Sequence, residues 1–375
     1  MSEPTAVEPR TYALVHRTTY AYAQPVTSSY GRTALTPREL PDQTCHSSTL
    51  TVRPAPTDTD AHIDYFGNRS TYFAVETDHR KLVVTARSTI TVTRRQADVA
   101  DLPVVAWEDV ARAARTGRAP ASTEEWDGVV HDDVPDEPLA GSPDPDRPDR
   151  ELDGIGLVAL REATLASRHV ALTAEVRDWA APSFTARRPV AELLADLAHR
   201  IRTELTYRSG STTVHTTQSE LLAQRTGVCQ DFAHLMIAAL RVHGLPARYA
   251  SGYLETMPPP GREKLRGADA SHAWVSAWVP GAGWVEIDPT NDKFIDSRYV
   301  ILGWGRDYSD VPPLRGVIFT EGPGAKPSVS VDLVPTSPPR AAREPSPSAG
   351  PESSPGNHAS PDIEASPDNS EGPSK

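Results

Sequence analysis

The sequence predicts an α+β protein: an all-β N-terminal sandwich, an acidic connector, a core in which helices precede an antiparallel sheet, and a disordered tail. Three patterns carry that prediction. Apolar and polar residues alternate in short runs between residues 10 and 95, apolar residues recur at three- and four-residue steps between 156 and 243, and a hairpin pattern spans 272 to 288. The expected boundaries are 1–98 for the β-domain, 99–155 for the connector, 156–322 for the core and 323–375 for the tail.

In the first region the runs Thr11–Tyr22, Ser48–Pro54, His62–Phe66, Ser70–Glu76, Lys81–Ala86 and Thr89–Thr93 read as strands separated by Pro, Asp, Gly and Asn. Asp64-Tyr65-Phe66-Gly67-Asn68 has the chemistry of a tight reversal, with Asp64 as a turn-stabilising carboxylate. Trp107–Arg115 reads as a short helix. Between Ser122 and Asp153 stand twelve acids against two arginines, interrupted by Pro135, Pro138, Pro143, Pro145 and Pro148. Most of the formal charge of −12 therefore sits in one segment, expected to be a solvated, disordered insertion. From Pro335 on come ten prolines and nine serines, with Ile363 as the only large aliphatic residue, so the tail cannot bury enough surface to order itself.

The core begins with helical periodicity from Gly156 to about Phe184. A second helix follows Pro189, with Val190, Leu193, Leu194, Leu197 and Ile201 on its apolar face. Ser219 reads as the N-cap of a short helix ending before Gly227. After Gly227, the residues Phe232, Leu235, Met236, Ala239, Leu240 and His243 predict a helix opened by Cys229 and ended by Gly244-Leu245-Pro246. The free N–H groups and positive dipole end of a helix favour thiolate over thiol, and thiolate is the nucleophile. In SHAWVSAWVPGAGWVEIDPTND, His272, Trp274, Ser276 and Trp278 alternate with small apolar residues, Pro280 to Gly283 form the turn, and Trp284, Glu286 and Asp288 alternate on the return strand. The midpoint between His272 and Asp288 falls in the turn, which sets them on neighbouring strands within a residue or two of each other. Cys229, His272 and Asp288 thus supply nucleophile, base and orienting carboxylate for acyl transfer through a thioester.

The segments GVCQDFAHL, GLPARYASGY, HAWVSAWVPGAGW and EIDPTN resemble the core of the bacterial transglutaminase-like proteins, in order from about Val170 to Asn291. The β-domain, with ALTPREL and the Asp64 turn, resembles the N-terminal domain that accompanies that core. The resemblance implies a papain-like fold, a Cys229, His272, Asp288 triad, no cofactor, and a protein or peptide substrate. It leaves water and an amine open as the second nucleophile, with hydrolysis favoured over glutamine crosslinking. A non-catalytic binding scaffold is the reading from another class, against which the intact trio argues. The resemblance names no partner for the β-domain.

The remaining candidates are weaker in chemistry. The N–H of Cys229 is the natural oxyanion donor, and no residue type marks the second. Tyr249, Tyr253, Trp274 and Trp304 are aromatic candidates for a substrate cleft. Cys229 and His243 lie fourteen residues apart on one helix, about 21 Å at 1.5 Å per residue, so no metal ion reaches both, and no metal site is expected. Asp231 is expected to favour the helix N-terminus, and His234 to pack. No basic face suggests nucleic acid, and no apolar run suggests a signal peptide or membrane span. With two cysteines, Cys45 and Cys229, no disulfide framework is expected, and a cytoplasmic location follows.

Overall fold

The computed structural model describes residues 8–116, 156–256 and 271–338. Residues 117–155, which hold the expected acidic insertion, and residues 339–375, which hold most of the expected tail, lie outside the described residues.

The first strands are β1 (Arg10–Thr33), β2 (Gln43–Arg53), β3 (Asp58–Ile63), β4 (Arg69–Val75) and β5 (His79–Val92), all antiparallel. β1 runs eleven residues beyond the expected end at Tyr22. Pro25 removes one ladder donor, and the register shifts between Ala21 and Val26 and between Val26 and Ser28 absorb the break instead of ending the strand. β5 unites two expected strands, because nothing in Arg87-Ser88 breaks the alternation. Asp64 holds its turn as expected: Oδ1 accepts the N–H groups of Phe66 at 2.9 Å and Asn68 at 2.8 Å, and Gly67 takes φ +75°.

The helices follow as α1 (Trp107–Thr116), α2 (Leu157–Glu162), α3 (Ala174–Ala180) and α4 (Val190–Glu204). A short β6 (Thr206–Tyr207) leads to α5 (Gln218–Gln224), β7 (Thr226–Gly227) and α6 (Cys229–Val242). Thr217, not Ser219, caps α5. Its hydroxyl accepts from Glu220 N–H while the Glu220 carboxylate accepts from Thr217 N–H, a reciprocity that Ser219, adjacent to Glu220, is too close to form. α6 opens at Cys229 and closes at Gly244, whose φ of +81° lets Gly244 and Leu245 N–H reach the carbonyls of Arg241 and Leu240. The periodicity suggested one apolar face, yet the helix is buried on every side from Asp231 to Arg241. It passes through the centre of the core, between the other helices and a sheet.

That sheet contains β8 (Ala247–Leu254), β9 (Ser271–Val279), β10 (Gly283–Asp288), β11 (Lys293–Phe294) and β12 (Tyr299–Gly305), in the antiparallel order β11-β10-β9-β8-β12. The chain then returns to the first sheet. β13 (Leu314–Thr320) pairs with the second half of β1 and β14 (Ser328–Thr336) with its first half. Residues assigned by composition to the end of the core and the start of the tail therefore belong to the N-terminal sheet. Its seven strands form one continuous sheet whose halves, joined by β1, share a core built from Leu14, Phe73, Val84, Val331 and Leu333. Among the described residues no helix is long and apolar enough to cross a membrane.

Leu333 is 0% exposed in that core. Leu333→Ala is expected to lower stability by about 2–4 kcal/mol in urea unfolding. An unchanged midpoint would return residues 323–338 to the tail.

Candidate active site

Val228 is extended, with φ −120°, and precedes Cys229 at the first helical position of α6. The approach is tight. A Cβ on Gly227 would stand 2.6 Å from Leu221 Cδ1, so the chain enters α6 on a residue without a side chain. Asp231 binds the helix start as expected for a first-turn acid: Oδ2 accepts Val228 N–H at 2.8 Å and the Thr212 hydroxyl at 2.6 Å. Burial raises the Asp231 carboxyl, and these two bonds only partly oppose that rise.

β9 and β10 pair Val279 with Gly283 and Val275 with Ile287. In that register His272 and Asp288 stand on one face, two positions apart. His272 Nε2 meets Asp288 Oδ2 at 2.7 Å. An ionised carboxylate only accepts, so Nε2 carries the hydrogen, which leaves Nδ1 as the ring nitrogen available to Cys229, a neighbour close enough to raise His272. Asp288 is 0% exposed. Its Oδ2 also accepts from Tyr299 OH at 2.8 Å and Asn291 Nδ2 at 2.6 Å, while Oδ1 accepts from Thr290 N–H at 2.8 Å and Asn291 N–H at 3.3 Å. Burial by itself would raise the Asp288 carboxyl. The charge of His272 and the bonds from His272, Asn291 and Tyr299 reverse this and hold it below 3.8. Burial would likewise lower His272, but the Asp288 charge and hydrogen bond, followed by Cys229, push it up to about 10.

The aromatic candidates separate. Trp274 is fully buried beside the pair, edge-on to Tyr299 at 5.4 Å and 6.1 Å from the His272 ring centre, with its indole donating to Glu286 at 3.4 Å. Tyr249 lies against α6, 5.0 Å from the His234 ring, its hydroxyl raised by burial and then by Cys229. Tyr253 is elsewhere. Its hydroxyl bonds His16 Nδ1 at 2.7 Å within the core of the first sheet: it shares a face of β8 with Tyr249, but four residues further along the strand its neighbours are those of the first sheet. Trp304 holds the guanidinium groups of Arg38 and Arg248 at 3.6 and 3.7 Å from its ring centre and does not join the trio. His234 packs, its Nε2 accepting Tyr308 N–H at 3.2 Å, and burial depresses it to about 3. Asn291 and Tyr299 escaped the sequence reading as donors to Asp288. Asn291 stood in EIDPTN, where an Asp-Pro-Thr-Asn turn invites such a bond, whereas Tyr299 comes from a distant strand with no local signal. Among the described residues no group of three or more His, Cys, Asp or Glu side chains is placed to hold a metal ion.

Residues 12–91 match the bacterial transglutaminase-like N-terminal region, and residues 177–289 match the transglutaminase-like superfamily. The chain is 43% identical over 330 residues to an uncharacterized protein of Mycobacterium tuberculosis, a match covering 86% of this chain and 92% of that one. It is 39% identical over 71 residues to a protein-glutamine gamma-glutamyltransferase of Pseudomonas aeruginosa, covering 19% of this chain and 11% of that enzyme. A crystal structure of a proposed cysteine protease from Cytophaga hutchinsonii superposes with a TM-score of 0.60 at 17% identity, covering 88% of this chain and 92% of that one, which shows a shared fold.

The buried pair implies a pH window for stability. His272, raised from 6.5 to about 10, stabilises the fold fully below 6.5, and that contribution is lost as pH rises through about 10. Asp288, lowered from 3.8, contributes above 3.8 and loses its contribution as pH falls through its folded value. The melting-temperature deficit of Asp288→Asn is therefore expected to be largest between pH 3.8 and 6.5 and to narrow toward pH 10. A deficit constant across that range would remove the ion pair from the account.

Proposed function

The chain belongs to the bacterial transglutaminase-like family, and on that footing we propose that it is a cysteine enzyme that hydrolyses amide bonds in proteins or peptides through a thioester on Cys229. The observation that carries this reading is His272 bonded to the buried Asp288 and close enough to Cys229, at the start of a helix, for that thiol to raise the imidazole. In the reacting state the Cys229 thiolate attacks the amide carbonyl carbon. The oxyanion draws on the Cys229 N–H at the helix start. The C–N bond breaks as His272 Nδ1–H protonates the departing amine, leaving the thioester. His272 then takes a proton from water, the hydroxide displaces the sulfur, and the acid departs. Asp288 stays ionised throughout, fixing the imidazole ring and stabilising its cationic form.

Amine transfer is the second reading, favoured by the gamma-glutamyltransferase name of the Pseudomonas aeruginosa relative. An amine would then replace water in resolving the thioester. The unpaired Cys45 and Cys229 suit a reducing compartment and support a cytoplasmic site of action.

Brief iodoacetamide treatment followed by mass spectrometry tests the nucleophile. Cys45 is an internal reference, since burial, then the charge of Glu39, push its thiol up. Near pH 6 Cys229 is expected to alkylate at least tenfold faster than Cys45, and His272→Ala to abolish that advantage. Equal rates in the unmodified protein would leave the scaffold reading standing. On amide-bearing peptides, His272→Ala is expected to reduce kcat about 10²–10⁴-fold. Product formation without added amine marks hydrolysis, and product only with added amine marks transfer.

A further inference from the structure

Among the described residues, β12 is the outermost strand of the catalytic sheet and pairs only with β8. The backbone groups on its other edge need partners from elsewhere. Side chains of the N-terminal sheet supply them. Gln43, 1% exposed, donates from Nε2 to Ile301 O at 2.8 Å and accepts Ile301 N–H on Oε1 at 2.7 Å, so one amide stands in for an antiparallel neighbour. Arg94, two residues beyond β5, donates from Nη1 to the Tyr299 carbonyl at 3.0 Å. Its Nε and Nη2 grip both oxygens of Asp42 at 2.6 and 2.8 Å. Tyr12 donates to Ser297 O at 3.2 Å and to the Glu255 carboxylate at 2.9 Å. Backbone from Ser297 to Ile301 is thus held by the first sheet, and Tyr299, at its middle, carries the hydroxyl that bonds Asp288.

We propose that Arg94 is a positioning residue of the catalytic centre: by fixing the Tyr299 backbone it sets the phenol on Asp288, which makes the N-terminal sheet a working part of the active site. The proposal rests on the reading of Cys229, His272 and Asp288 as the reacting trio. A phenol is rigid, so a backbone shift of about 1 Å moves its oxygen by a similar distance and takes the bond to Asp288 out of hydrogen-bond range. A guanidinium gripping a carboxylate with two parallel bonds has little freedom of its own, which suits it to hold a third group in place. The charged and titratable groups around Tyr299 and Asp288 are His272 from β9, Cys229 from α6, Glu286 from β10, Lys293 from β11 at 5.9 Å from the Tyr299 ring centre, and Asp296 and Arg298 before β12.

The sign of the effect follows from the bond. Losing the Tyr299 hydroxyl makes Asp288 more basic, so Asp288 holds the His272 proton more firmly, and the upper limb of a pH profile, where the imidazolium loses its proton, moves upward. The test is the pH profile of Cys229 alkylation by iodoacetamide in the full chain, for Tyr299→Phe, Arg94→Gln and their double variant. Tyr299→Phe and Arg94→Gln are each expected to shift the upper, His272-dependent limb of the profile upward by about 0.5–1 pH unit, the size of one buried hydrogen bond. The double variant is expected to shift no further than Tyr299→Phe alone. Arg94→Lys, which keeps the charge and a donor, should fall between wild type and Arg94→Gln. If Arg94→Gln does not fold, Asp42→Asn loosens the same grip and should give a smaller upward shift. A wild-type profile in the Arg94 and Asp42 variants, even with a lower melting temperature, would overturn the proposal and leave the trio intact. Additive shifts in the double variant would overturn it in favour of a direct effect of the Arg94 charge. Absence of any His272-dependent reactivity in the unmodified protein would overturn the trio and this proposal together.

Discussion

A carboxylate without solvent contact is costly to hold in charged form, by several kcal/mol even after the protein relaxes around it. Asp288 meets that cost with five hydrogen bonds, and their donors come from separate places: His272 on β9, Thr290 and Asn291 in the turn after β10, and Tyr299 on β12. Each bond offsets part of that cost, so removing any one makes the carboxylate more basic. The sheet order β11-β10-β9-β8-β12 is therefore tied to the chemistry, since it brings β12 into the same sheet as the hairpin that carries His272 and Asp288.

The thiol is fixed by a different constraint. α6 is buried on every side, so its position is set by packing against α3, α4 and α5 on one flank and β8 and β9 on the other. Its start is bound to the preceding loop through Asp231, Thr212 and Val228. A sulfur at the first position of such a helix has little positional freedom. The hairpin then needs only one ring, His272, to connect the two halves of the site.

The β9–β10 hairpin and the helix opened by Cys229 were legible in the sequence because their signals are local. Strict alternation on both sides of Pro280-Gly281-Ala282-Gly283 fixes a register, and Gly244 with Pro246 ends a helix whose apolar residues already identify it. The Asp64 turn was legible for the same reason. What escaped was long-range. β14 alternates cleanly only over Ser328–Leu333, a short run between Pro327 and Pro335 beside the Pro- and Ser-rich tail, and it orders because the first half of β1 offers it a complete ladder from Thr11 to Thr19. Tyr299 became a donor to Asp288 only through strand order, and Tyr253, next in line to the site by sequence, turned into the first sheet to meet His16. The end of β1 was misjudged at Pro25, where two register shifts carried the strand through a residue that usually stops one.

The central claim is that Asp288 keeps His272 cationic with its Nε2 hydrogen directed at the carboxylate. Nitrogen-15 NMR of the histidine-labelled full chain, with the His272 signals assigned by their loss in His272→Gln, measures this directly. The account predicts both ring nitrogens of His272 protonated at pH 8, and loss of that protonation at pH 8 once Asp288 is replaced by Asn, since burial then acts without the carboxylate to oppose it. A neutral His272 at pH 8 in the unmodified protein, titrating near 6.5 with Asp288 in place, would contradict it.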